Sequence, residues 1–266
     1  LAMTYSSLAA IVKYPYTSTT TPKHGKFGFF KSELDCFRMV ATELGLIEKS
    51  ADVFARHPLV YLMEAADDIC YQVMDIEDAH KLKILGIEEV TTLLTGFFNP
   101  ERCRHITGVL DNIDDDNEKV AYLRSCVVGE LVGECAKVFV DNEECILNGE
   151  FEGCLIDHIS PVARNGYAEC SRTAWRKIYN SPDVVDIELA GNQIITFLLD
   201  RLIDAVLLPE KNYSRLLLSR IPHQYDTSSP TTYGKIQSVL DHISGMTDVY
   251  ALDLFRKLNG LSLPAV

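Results

Sequence analysis

The chain has 266 residues, 47% of them hydrophobic and 24% charged, and 25 Lys and Arg against 38 Asp and Glu give a formal net charge of −13. That apolar share is enough for one large core or two smaller ones, no apolar run approaches the roughly 20 residues needed to cross a bilayer, and the opening residues lack the basic start of a secretory signal. An acidic surface repels nucleic-acid phosphates, which argues against a broad DNA or RNA footprint and leaves room for a local basic pocket that takes a small phosphorylated ligand.

In chain order, Leu1 to Lys13 precedes an irregular stretch, Tyr14 to Lys26, dense in Thr, Pro and Gly, which reads as a loop. A long helix is expected from His57 to about Leu82, with Pro58 in its first turn, and shorter ones at Glu88–Phe98 and Glu101–Asp111. Asp114 to about Val140 is amphipathic, with Val120, Leu123, Val127, Leu131 and Val138 on one face and three aspartates at its positive N-terminal end. Helices follow at Pro161–Tyr179, Pro182–Leu208 (Ser181 as cap), Thr232–Ile243 and Asp248–Leu258, with Gly245 to Thr247 as stop and cap between the last two. Alternating strand-like runs are nearly absent, so the fold class is all-α, and residues 1–266 are taken as a single mainly helical unit. The chain does not begin with Met and reads as starting inside an element, which leads us to expect a piece of a longer protein.

Eight cysteines (Cys36, Cys70, Cys103, Cys126, Cys135, Cys145, Cys154 and Cys170) are scattered with no CxxC pair, and Cys126 and Cys135 sit in apolar helical patterns. Buried free thiols in a reducing cytoplasm are expected over disulfides or a zinc site.

Chemistry concentrates in the long helix at 57–82. Asp67, Tyr71 and Asp75 recur at i, i+4 and i+8 and form one slowly drifting stripe. Two carboxylates and a phenol along one buried face need partners such as a metal, a phosphate or a sugar hydroxyl. The competing reading is a solvated acidic face that also takes in Glu64, Asp68 and Asp78. Against it, Leu59, Val60, Leu62, Met63, Ala65, Ala66, Ile69 and Val73 leave little purely polar surface on this helix.

The segment HPLVYLMEAADDICYQVMDIEDA resembles the part of the dGTPase family of HD-domain phosphohydrolases that supplies the last aspartate of an H…HD…D metal site. LAMTYSSLAAIVKYP with GKFGFFKSE resembles the family's phosphate-contacting lysines and the loop between them, and SVLDHISGMTDVYALDLFRKLNG its C-terminal signature. The resemblance implies an HD-domain-like helical bundle, the C-terminal portion of a larger cytoplasmic enzyme that hydrolyses dGTP or other dNTPs to deoxynucleoside and inorganic triphosphate. It implies a divalent metal ion (Mg, Mn or Co) with Asp67 as ligand. Lys13, Tyr14 and Lys26 would contact the triphosphate, Tyr71 the phosphates and sugar, and Asp75 the 3′-hydroxyl. A homo-oligomer, often a hexamer, is implied as well.

That metal site also needs an upstream histidine and an adjacent His-Asp pair. None of the seven histidines here is followed by Asp; His158 and His242 follow one instead. No catalytic residue is assigned within this chain, and it is expected to hydrolyse nothing alone. Two other readings stand beside the enzyme: a non-catalytic dNTP-binding regulatory or oligomerisation module, and another HD-type reaction such as a phosphodiesterase or nucleotidase. For Lys13 and Lys26 the plain alternative is a solvated surface lysine. Trp175 with Arg172 and Arg176 suits either base stacking or a core or subunit contact.

Overall fold

A computed structural model describes residues 3–20 and 25–262. The fold is mainly helical as expected, with one short hairpin, and the described residues fall into two compact units that meet in sequence between Tyr179 and Asn180. Each unit has its own core.

The first unit is built on two long helices. α1 (Tyr5–Ala10) and α2 (Leu34–Leu44) come first, then a two-stranded antiparallel hairpin, β1 (Glu48–Ser50) and β2 (Val53–Phe54). α3 (Pro58–Lys81) follows, then α4 (Ile87–Thr95), α5 (Pro100–Leu110), α6 (Asp116–Asp141), α7 (Glu143–Leu147) and α8 (Pro161–Thr173). His57 caps α3 by accepting from the Leu59 backbone N–H, and Pro58, which has no N–H to leave orphaned, opens it. The 24 residues of α3 rise about 36 Å at 1.5 Å each. Asp115 caps α6 by accepting from the Glu118 N–H, inside the predicted aspartate run.

α3 and α6 pack lengthwise. Ile69, Val73 and Ile76 meet the predicted stripe of α6, in which Val120, Leu123, Val127, Leu131 and Val138 are all buried, and α4 and α8 close the core with Val90, Leu94, Ala163 and Cys170. A smaller cluster, Phe29, Phe37, Ala41 and Phe54, seats the hairpin on α2. The helix expected over 161–179 changes pitch: Ala174–Tyr179 form a π-helical turn, a widening that re-aims side chains relative to an α-helix.

In the second unit, α9 (Pro182–Leu207) carries α10 (Asn212–Leu218), α11 (Thr232–Ser244) and α12 (Asp248–Leu258) on its C-terminal half. Leu198, Leu202, Val206, Leu217, Val239, Ile243 and Leu254 form the core. Gly245 ends α11 and Thr247 caps α12 by accepting from the Tyr250 N–H, as predicted. Ser181 stands at the head of α9, but its hydroxyl makes no cap hydrogen bond.

Leu123 is fully buried where α6 meets α3. Leu123→Ala is expected to lower unfolding stability by about 2–5 kcal/mol, through lost transfer energy and a cavity, as read by urea denaturation. A loss below about 1 kcal/mol would contradict this packing.

Candidate functional site

The segment after α1 is held from both sides by backbone hydrogen bonds. Phe54 N–H donates to the Pro15 carbonyl (3.1 Å) and Gly28 N–H donates to that of Tyr16 (3.1 Å). Gly28 allows the approach, since a Cβ there would lie 2.2 Å from the Tyr14 carbonyl oxygen. Lys13 and Tyr14 are thereby fixed on the wall of a cleft of about 800 Å³ lined also by Tyr16, Lys49, Arg56 and Tyr61. Lys13 Nζ and Lys26 Nζ lie 5.9 and 5.8 Å from the centre of the Tyr14 ring, so two cations flank that phenol. The structure thus brings Lys13, Tyr14 and Lys26 near one another; residues 21–24 of the intervening loop lie outside the described residues.

Behind the wall stands Glu64, only 2% exposed in the second turn of α3. Oε1 accepts from Lys13 Nζ at 2.7 Å and from the Cys154 thiol at 3.1 Å, and Oε2 accepts from Arg56 Nη1 at 3.2 Å. Arg56 also donates to the Gly153 carbonyl at 3.2 Å. Burial works against the Lys13 charge, but the hydrogen bond and charge of Glu64 outweigh it and hold the ammonium above its ordinary pKa. Cys154 is pushed up to about 12 by burial and by its bond to Glu64, so the thiol stays protonated. Asp68, half-buried one turn on, is raised by burial first and by the Glu64 charge next.

The solvated-face alternative fails at Glu64, which is buried. It fits Asp67 and Asp78, which are exposed. Asp67 is not on the lining of the 800 Å³ cleft. Farther along α3, Tyr71 is 58% exposed and stacks on Tyr179, with ring centres 6.1 Å apart. Asp75 accepts a short hydrogen bond from the Tyr179 hydroxyl, whose pKa is driven far up by burial and by that bond. The π-helical turn places Tyr179 there.

Sequence reasoning missed Lys49, Arg56, Glu64 and Tyr179. A signal existed for one of them: Glu64 is four residues before Asp68 on a helix already flagged as nearly apolar. Trp175 is 69% exposed and so is no core residue. The cysteine reading holds in that all eight are free thiols, and needs correcting for Cys36, Cys70 and Cys145, which are exposed.

Among the described residues one group of three metal-type ligands converges, Glu64, Asp68 and Cys154, with ligand atoms within 4.8 Å of one another. It does not fit a metal ion. Both Glu64 oxygens are already engaged by cations, one of them an ammonium 2.7 Å away, so an added divalent ion would meet like charge there. Asp67 is outside this group, and one carboxylate does not hold a divalent ion tightly.

Comparison with known proteins agrees with the helical reading. Residues 158–257 match the phosphohydrolase-associated domain. A deoxyguanosinetriphosphate triphosphohydrolase-like protein of Pseudomonas aeruginosa is 31% identical over 275 residues, covering 99% of this chain and 61% of that protein. A Synechocystis protein of the same description is 32% identical over 278 residues, with the same coverages of 99% and 61%. The deoxyguanosinetriphosphate triphosphohydrolase of Yersinia pestis is 26% identical over 309 residues, covering 97% of this chain and 60% of that enzyme. The chain therefore spans about three fifths of the length of these curated relatives.

Asp68 gives a pH test. Because its folded pKa is raised, its contribution to stability is complete below the ordinary carboxylate pKa and is lost as pH climbs through the raised value. Asp68→Asn, which mimics the neutral acid, is expected to raise the unfolding midpoint at about pH 7 and to change it little at about pH 3. An unchanged midpoint at the higher pH would contradict the assignment.

Proposed function

Because this chain is related over essentially its whole length to deoxyguanosinetriphosphate triphosphohydrolase-like proteins, we propose that it is the C-terminal, nucleotide-holding part of an enzyme that hydrolyses dGTP, and other dNTPs, to deoxynucleoside and inorganic triphosphate. The observation that carries this reading is the placing of Lys13 and Tyr14 on a cleft wall, backed by a buried carboxylate on the same helix that bears Tyr71 and Asp75.

Distance along that helix supports the division of labour. Glu64, which pairs with Lys13, is seven residues before Tyr71 and eleven before Asp75, about 10 and 16 Å of helical rise. A triphosphate tail among the cations and a deoxyribose near Tyr71 and Asp75 suit that separation. Lys13 and Lys26, joined by Arg56 and Lys49, offset the roughly four negative charges of a triphosphate. Water attacks the α-phosphorus and the bond to the 5′-oxygen breaks, the deoxynucleoside leaving as its 5′-hydroxyl with a proton from that water. The lysines stabilise the charge that grows on the phosphoryl oxygens of the triphosphate product. Tyr71 packs on the sugar and Asp75 accepts from the 3′-hydroxyl, with Tyr179 holding its carboxylate in place.

The divalent ion (Mg, Mn or Co) enters this proposal through Asp67 alone, as one ligand of a set that the described residues do not complete. For that reason the 266 residues are proposed to bind nucleotide and to release no product by themselves. A homo-oligomer, up to a hexamer, completes the proposal; exposed Ile187 and Leu189 on α9 offer it apolar surface, and a monomer by light scattering would contradict it.

The decisive experiment is dGTP turnover by the intact protein with product analysis. Lys13→Gln is expected to raise KM by about tenfold or more, the worth of a lost charge-assisted contact. Tyr71→Phe and Asp75→Asn are expected to weaken dGTP binding as well, and Asp67→Ala to abolish turnover. Unchanged KM in the first three, or an active Asp67→Ala enzyme, sinks the assignment. Nucleotide binding by a protein that never releases triphosphate favours the non-catalytic module instead.

A further inference from the structure

Glu64 belongs to no substrate contact named above, yet it is the most heavily partnered acid in the first unit. Its side chain is 1% exposed, against 34% for Lys13 and 24% for Arg56, the two cations it joins. Lys13 comes from the segment after α1 and Arg56 from the turn before α3. Each is a long side chain with several free torsions, and each sits on the lining of the same cleft. Left alone, two such cations would spread over many rotamers and repel one another. A carboxylate with one oxygen for each resolves both problems, and the Cys154 thiol, donating to Oε1 at 3.1 Å, adds a third contact that keeps that carboxylate from turning. The cation–π approach of Arg56 to the Tyr61 ring, 5.7 Å from its centre, fixes the guanidinium from the other side.

We infer that Glu64 is a positioning residue that holds Lys13 and Arg56 as a paired clamp for the phosphate chain of the nucleotide. The inference rests on the phosphate-binding role proposed for the cleft. The clamp's action is geometric, and that gives it a distinctive sign. By charge alone, removing a buried negative group makes the cleft more positive and tightens the binding of an anion. By positioning, the same change frees two cations and weakens it.

The test is calorimetric titration of the intact protein with inorganic triphosphate in the absence of divalent ions. Glu64→Gln keeps the shape of the side chain and is expected to weaken binding by about tenfold, the scale of one charge-assisted hydrogen bond. In a Lys13→Gln background the same substitution is expected to cost a clearly smaller factor, because one of the two cations it acts through is already gone. Equal or tighter binding by Glu64→Gln overturns the inference, and so does an identical factor in both backgrounds, which is the mark of a purely structural defect. Should Glu64→Gln lose its cooperative melt, Glu64→Asp carries the same comparison, since it keeps the charge and withdraws it by one methylene. A wild-type protein that takes up no triphosphate fells the phosphate-binding reading of the cleft itself, and the clamp with it.

Discussion

Placing an ionised carboxylate on the buried face of a packed helix costs several kcal/mol unless cations and hydrogen bonds surround it. Glu64 meets that condition with partners from three places in the sequence: Lys13 before the loop, Arg56 before α3, and Cys154 after α7. The consequence runs outward from the carboxylate. Segments that are remote along the chain must converge on one point of α3, and the cleft is the space their side chains leave between them. The backbone clamps on Pro15 and Tyr16, and the close approach that Gly28 permits, serve the same convergence from the far side. Removing either cation leaves the buried carboxylate with a single ion-pair partner, so the wall of the cleft and the stability of this end of the unit are tied together.

What the sequence made legible follows from period and punctuation. The α6 stripe from Val120 to Val138 repeats at three and four residues, and proline or a capping side chain marks the head of α3, α5 and α9, so those helices fall within a few residues of their predicted bounds. Short elements gave less: α7, α10 and the hairpin are too brief for a period to show. The boundary between the units was hidden for another reason. Asn180, Ser181 and Pro182 read equally well as a cap inside one domain and as a seam between two, and only the separate cores distinguish them.

The candidate site was legible in kind and blurred in angle. Successive helical residues turn by about 100°, so Glu64 and Asp67, three apart, stand about 60° from each other around the axis. That angle is enough to carry one side chain into the core and leave the other at the surface, and no count of apolar neighbours predicts which. The bland reading therefore treated Glu64, Asp67 and Asp68 alike, whereas the packed helix separates them into buried, exposed and half-buried. Tyr179 was out of reach altogether, because its contact with Asp75 spans 104 residues and depends on a change of helical pitch that no residue pattern announces.

A chain of net charge −13 that sets Lys13, Lys49 and Arg56 on the lining of one cleft meets two requirements at once. At physiological salt, charges separated by more than a Debye length of about 8 Å hardly feel each other, so the acidic exterior does little to a small anion already seated among lysines. The same exterior does oppose a polyanion, which must lay many phosphates across the surface to bind well. Pairing Lys13 and Arg56 with a buried carboxylate sharpens the contrast. It lowers the net positive charge that the cleft projects while fixing the donors that a short phosphate chain would contact. On the proposed function, selectivity for a small phosphorylated ligand over nucleic acid would come from where the donors point more than from how many there are.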